Sequence, residues 1–133
     1  MIPPFEDSGY LPPGIHRATL AEIEERFGQS SELRRAQMES IRWMVDLARQ
    51  ASVQRIVLNG SFVTDIMDPN DVDCVLLVSD QLAGDPEADE ALDNGLPFLD
   101  ISLVEAAEFD YFVNRFFAAD RRSHSKGMVE VIL

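Results

Sequence analysis

Three short apolar runs, set apart by polar intervals, constrain this chain most. They are Gln54-Arg55-Ile56-Val57-Leu58, Val72-Asp73-Cys74-Val75-Leu76-Leu77-Val78 and Leu96-Pro97-Phe98-Leu99-Asp100-Ile101-Ser102-Leu103-Val104. Each has strand length, is rich in branched or aromatic residues and is bounded by turn formers, which predicts buried strands. Pro97 stands at the start of its run, where a missing donor is tolerated. Ahead of these runs the period is helical. Thr19 and Glu22 have the spacing of a capping box, predicting a helix to about Phe27 that Gly28 ends. Ser30 or Ser31 can cap a second helix, in which Leu33, Ile41, Met44, Val45, Leu47 and Ala48 recur at helical spacing as far as Ala51.

The remaining segments complete one domain. Residues 79–95 are acidic and polar, which suits a loop with a short helix. Residues 105–119 read as a helix with Phe109, Phe112, Val113, Phe116 and Phe117 on its buried side, and 128–133 as a last strand. Residues 1–18, with Pro3-Pro4 and Pro12-Pro13-Gly14, read as an irregular N-terminal arm that Phe5, Tyr10, Leu11 and Ile15 pack onto a domain of residues 19–133. The expected fold class is α/β (α+β): a small mixed sheet flanked by helices. A chain of 133 residues can bury one sizeable core.

Composition excludes several classes of function. With 11 basic and 24 acidic residues the net charge is −13, so an extended nucleic-acid track is not expected. The same charge suits a basic protein partner. No apolar run is long enough to span a bilayer, and Met1-Ile2-Pro3-Pro4-Phe5-Glu6-Asp7 lacks the basic and apolar parts of a secretory signal. Cys74 is the one cysteine, so no intrachain disulfide can form, and a cytoplasmic location is the expectation.

The chemistry concentrates where two of the runs meet polar residues. Leu58-Asn59-Gly60-Ser61 is followed, after a spacer of nine residues, by Asp71-Val72-Asp73-Cys74. Glycine has no Cβ and lets backbone come close to a ligand. A serine just past a strand offers a hydroxyl and an amide to phosphate oxygens. Carboxylates two apart on a strand, as Asp71 and Asp73 are, point to one face. Two carboxylates ~5 Å apart repel by roughly 3 kcal/mol at an effective dielectric of ~20. A third would bring the total to roughly 10 kcal/mol, comparable with the stability of a whole domain, so such a cluster asks for a cation or a raised pKa. Asp100, within the apolar run Phe98-Leu99-Asp100-Ile101, is the natural third member. Hard divalent cations take oxygen ligands, and Mg²⁺ is held by one or two carboxylates together with substrate phosphates.

This pattern resembles the signature of the nucleotidyltransferase superfamily that includes DNA polymerase beta. That signature is an apolar residue, Gly, then Gly or Ser, a spacer of about nine to thirteen residues, then Asp, apolar, Asp or Glu, apolar. Here it runs from Gly60-Ser61 to Asp71-Val72-Asp73-Cys74, and Asp100 extends the likeness to about residue 104. The small size is similar to that of the minimal nucleotidyltransferases found as bacterial antitoxins. Leu11-Pro12-Pro13-Gly14-Ile15-His16 and Gly60-Ser61-Phe62-Val63-Thr64 are similar to uncharacterised bacterial and phage-borne members. The resemblance implies an enzyme that moves a nucleoside monophosphate from a nucleoside triphosphate, ATP being the expected one, to a hydroxyl of a protein, an RNA or a small molecule. It implies that Gly60 and Ser61 contact the triphosphate. Asp71 and Asp73 would bind Mg²⁺ or Mn²⁺, and Asp100 would share one metal and act on the acceptor. It also implies a place in a toxin–antitoxin pair, with a basic toxin as partner. The alternative is an acidic binding module that neutralises a protein partner without catalysis. Many members add a helical domain that grips the base; here the N-terminal arm, the last helix or a partner would have to do so.

Other residues are weighed against plainer roles. Asp65 and Asp68 read as solvated loop acids, and no metal spacing links His16 to His124. Cys74 alternates away from Asp71 and Asp73 and should pack under the sheet. Phe109, Phe112, Phe116 and Phe117 read as core. Arg115, Arg121, Arg122, His124 and Lys126 are the one basic concentration, readable as a solvated loop or as a patch for triphosphate or acceptor.

Overall fold

The computed structural model of the chain describes residues 1–79, 84–116 and 126–133. Its elements in order are β1 (Gly14–Ala18), α1 (Leu20–Phe27), α2 (Glu32–Gln50), β2 (Arg55–Asn59), β3 (Val72–Leu77), α3 (Pro86–Asn94), β4 (Leu99–Val104), α4 (Ala106–Tyr111) and β5 (Gly127–Val131). The strands form one mixed sheet in the order β1-β5-β2-β3-β4. β1 runs parallel to β5 and β3 parallel to β4, while β2 is antiparallel to both β5 and β3. The expected class, an α+β domain with a small mixed sheet, is therefore the observed one.

Local signals set the helix ends. Thr19 accepts from the Glu22 amide while the Glu22 carboxylate accepts from the Thr19 amide, closing the capping box. Gly28 ends α1 with φ −102, so its use is spatial: a Cβ there would lie 2.7 Å from Met38 Cγ on α2. Ser31 caps α2 by accepting from the Arg34 amide.

The strands alternate between two faces. On one, Ile56, Leu58, Val72, Cys74, Leu76, Val129 and Val131 pack with Ile23, Phe27, Ile41, Met44 and Val45 of α1 and α2 in the main core. On the other, Val57, Val75, Val104 and Met128 pack with Phe109 and Val113 in a smaller cluster. That second face also carries Arg55 and Glu130, joined by two hydrogen bonds of 3.0 and 2.6 Å, with the Arg55 guanidinium 4.8 Å from the Phe109 ring centre.

Several expectations need correction. The N-terminal arm is not irregular throughout: its last five residues form β1, because β5 offers them an open edge. The run at 96–104 begins its strand at Leu99, since Leu96–Leu99 makes a turn closed by the Leu99 amide on the Leu96 carbonyl at 3.3 Å. The buried stripe of α2 starts at Arg34 rather than Leu33 and includes Gln37. The helix expected from 105 is α-helical only to Tyr111 and widens to π geometry over Phe112–Phe116. The readings of Phe117, Arg121, Arg122 and His124, and of the side chains of Arg115 and Phe116, lie outside the described residues.

Candidate functional site

The β2–β3 connection is a spacer of fixed shape. Gly60 leaves β2 with φ 87 and ψ −172, a conformation that favours glycine. Ser61–Val63 then make one 3₁₀ turn. Below the loop, the guanidinium of Arg34, itself 3 % exposed, donates to the carbonyls of Phe27 (3.0 Å), Phe62 (2.8 Å), Thr64 (2.9 Å) and Ile66. Gln37 donates to Pro69 O at 2.9 Å and Ser31 to Met67 O at 3.2 Å. One end of α2 thus turns the loop carbonyls inward. Burial pulls the Arg34 guanidinium below its ordinary value, opposed by the charges of Asp65 and Asp68. Sequence reasoning missed these anchors, although Ser31, Arg34 and Gln37 share a helix face by their three-residue spacing.

This spacer brings Ser61 onto Asp71. The Ser61 amide and hydroxyl both donate to Asp71 Oδ1, at 3.1 and 2.8 Å, and the Asp71 amide donates back to Ser61 Oγ at 3.3 Å. The two donors assigned to phosphate thus hold a carboxylate oxygen. Asp71 lies one residue ahead of β3 and is exposed. Gly60 sits against both first carboxylates: a Cβ on it would be 3.1 Å from Asp71 Oδ1 and 3.1 Å from Asp73 Oδ2. The glycine is needed for its small size as well as for its backbone.

Asp73 is the central member. It pairs with Asn59 of β2 on one side and Asp100 of β4 on the other, so all three belong to one row of the sheet. The side chains of such a row share a face, here the one opposite Cys74. Asp73 is half-buried, and its carboxyl is pushed up to about 6 by burial, then by the charges of Asp71 and Asp100, with Lys126 pulling the other way. Asp100, expected among buried neighbours, is exposed, because it stands near the start of an edge strand where water reaches it. The desolvation argued for Asp100 falls on Asp73 instead. Cys74 packs in the helix-side core as expected, and burial raises its thiol well above the ordinary value. Asp65 and Asp68 are exposed.

Two further residues belong to this site: Asn59 within the row and Lys126 near it. Asn59 is buried, and among the described residues its Oδ1 accepts no hydrogen bond. Its signal was a polar residue closing an apolar strand. Lys126, just ahead of β5, was read only as part of a basic stretch, yet its charge acts on Asp73.

The three carboxylates Asp71, Asp73 and Asp100 fit a divalent cation by their chemistry: they are hard oxygen donors, the charges of Asp71 and Asp100 act on Asp73, and Gly60 clears space beside Asp71 and Asp73. Among the described residues no group of three or more His, Cys, Asp or Glu side chains is placed so that it could hold a metal ion by itself. The carboxylates make an open row, the form in which substrate oxygens can complete the coordination.

The class defined by fold and site is a mixed α+β domain with an open carboxylate row at one end of a sheet face. The chain belongs to DUF6932, a family of unknown function whose model matches residues 3–132. No curated protein and no solved structure matches it. Among the described residues no helix is long and apolar enough to cross a membrane.

Proposed function

We propose that this chain is a metal-dependent nucleotidyltransferase. It takes a nucleoside triphosphate, ATP first, and places the nucleoside monophosphate on a hydroxyl of a protein, an RNA or a small molecule. The observation that carries this reading is the half-buried Asp73, paired with Asp100 across the sheet and set against Gly60, with its carboxyl raised by burial first and then by the charges of Asp71 and Asp100. Asp71, Asp73 and Asp100 would hold Mg²⁺ or Mn²⁺. Bound there, the metal supplies charge neutralisation at the phosphates and alignment of attack with departure. Ser61 offers its amide and hydroxyl to phosphate oxygens in place of Asp71 Oδ1, and Gly60 keeps the approach open. Asp100, in water at the sheet edge, takes the acceptor's proton. The acceptor oxygen bonds to the α-phosphorus, and pyrophosphate leaves with the electrons of the broken P–O bond.

The test is adduct formation. Protein, labelled ATP, Mg²⁺ and the products of neighbouring genes are incubated and examined by mass spectrometry. Wild type should yield an acceptor heavier by one nucleoside monophosphate, and Asp71→Ala with Asp73→Ala should yield none. An adduct that survives the double change, or that forms equally in chelator, would remove the assignment.

One observation favours the second reading, an acidic module that neutralises a basic partner such as a toxin. On the anchored loop, Ile66 and Met67 are 50 % and 70 % exposed between Asp65 and Asp68, so two apolar side chains are offered with acidic flanks. Toxin protection measured beside adduct formation separates the two. Protection that the double variant retains without any adduct assigns the function to binding.

A further inference from the structure

The turn into β4 holds a side chain that the fold alone gives no reason to place there. Leu96–Leu99 has Pro97 in its second position and Phe98, with φ 68, in its third. This is the pattern of a type II turn, whose third position favours glycine because a Cβ is strained at positive φ. Phe98 is also 52 % exposed, and among the described residues no aromatic ring or guanidinium packs on it. Backbone strain and an apolar ring left in water both oppose this choice. Strain of this kind gathers at ligand sites, where a bound molecule gives the strained residue its use.

Its place in the sheet says which site. Phe98 immediately precedes the Val72–Leu99 pair, and the next pair is Asp73–Asp100. Phe98 therefore stands at the end of β4 where the ladder with β3 begins, one residue before the Val72–Leu99 pair and two residues from Asp100. A single exposed aromatic beside a row of oxygen ligands suits a molecule with an oxygen-rich anionic part and a planar ring.

We propose that Phe98 is the platform on which a nucleobase stacks beside the carboxylate row. The inference rests on reading that row as a metal–triphosphate site. It locates the base at the turn before β4, not in the N-terminal arm or the last helix. Stacking uses a face that every base has, so the platform tolerates different bases. The base can belong to the triphosphate or to an RNA acceptor, since Asp100 serves the acceptor.

The test compares binding of Mg²⁺-tripolyphosphate, Mg²⁺-ATP and the dinucleotide ApA by calorimetry, for wild type, Phe98→Gly and Phe98→Tyr. Glycine suits the turn, so the Phe98→Gly melting temperature should hold or rise by a few degrees, ~3 °C. Tripolyphosphate should bind wild type and Phe98→Gly alike. The glycine variant should lose ~10-fold or more in affinity for ATP if the base is the triphosphate's own, or for ApA if it is the acceptor's, and Phe98→Tyr should restore it. Unchanged affinity for both base-bearing ligands, or an equal loss for all three ligands, would overturn the platform while leaving the metal–phosphate reading in place. Failure of wild type to bind either triphosphate-bearing ligand would overturn both.

Discussion

Asp73 carries the tension of the site. Its carboxyl stands near 6 against an ordinary 3.8, so the folded protein binds a proton there more tightly than the unfolded chain does. The sign follows by linkage: in metal-free protein the stability present below about pH 4 is lost as pH rises through about 6. Melts in chelator should therefore show wild type losing stability relative to Asp73→Asn between pH 4 and 7, with the variant the more stable at pH 7. Added Mg²⁺ should raise wild type at pH 7 and move the variant less; at 100 times the dissociation constant the gain is about 2.7 kcal/mol. A wild-type minus variant difference that is flat with pH would show that Asp73 is not the stressed group. The pair Asp71 and Asp73 was legible in the sequence because strand alternation fixes a common face. The exposure of Asp100 was not, because no local pattern says that β4 is an edge strand or where its first residues meet water.

At the scale of elements, the site depends on α2 as much as on the strands. Arg34 satisfies carbonyls of Phe27, Phe62, Thr64 and Ile66, and it fixes the spacer between the two halves of the motif. Arg34→Met keeps much of the side-chain volume but orphans those acceptors. It should cost about 3 kcal/mol and, by hydrogen exchange, loosen the amides of residues 61–67 more than those of β2 and β3. Equal loosening of strands and loop would make Arg34 a general core residue instead of a loop anchor. The helices themselves were readable: Thr19, Glu22, Ser31 and the apolar period mark α1 and α2 within a residue or two. Arg34 was not, because an arginine at a core-facing helical position looks like surface until the loop whose carbonyls it satisfies is known. β1 was hidden for a similar reason. Its five residues follow prolines and become a strand by pairing with β5 at the far end of the chain.

For the whole molecule, the sheet order explains why so short a chain can build such a site. β3 lies between β2 and β4, so one strand presents Asp73 to the Gly60 turn on one side and to Asp100 on the other. The helix-side core of α1 and α2 holds the sheet from behind, and α4 with the Arg55–Glu130 pair occupies the rest of the face. Phe98, proposed above as a base platform, and the loop apolars Ile66 and Met67 are among the exposed apolar side chains, together with Trp43 and Tyr111. The central claim is that this row binds a divalent metal together with a triphosphate. Mn²⁺ titrated into the protein with ATP, and followed by the loss of its free paramagnetic resonance signal, tests it most directly. Saturable uptake by wild type, strengthened by ATP, and its loss in folded Asp71→Ala/Asp73→Ala protein are expected; equal uptake by the two proteins, or none by wild type, would contradict metal binding at the row.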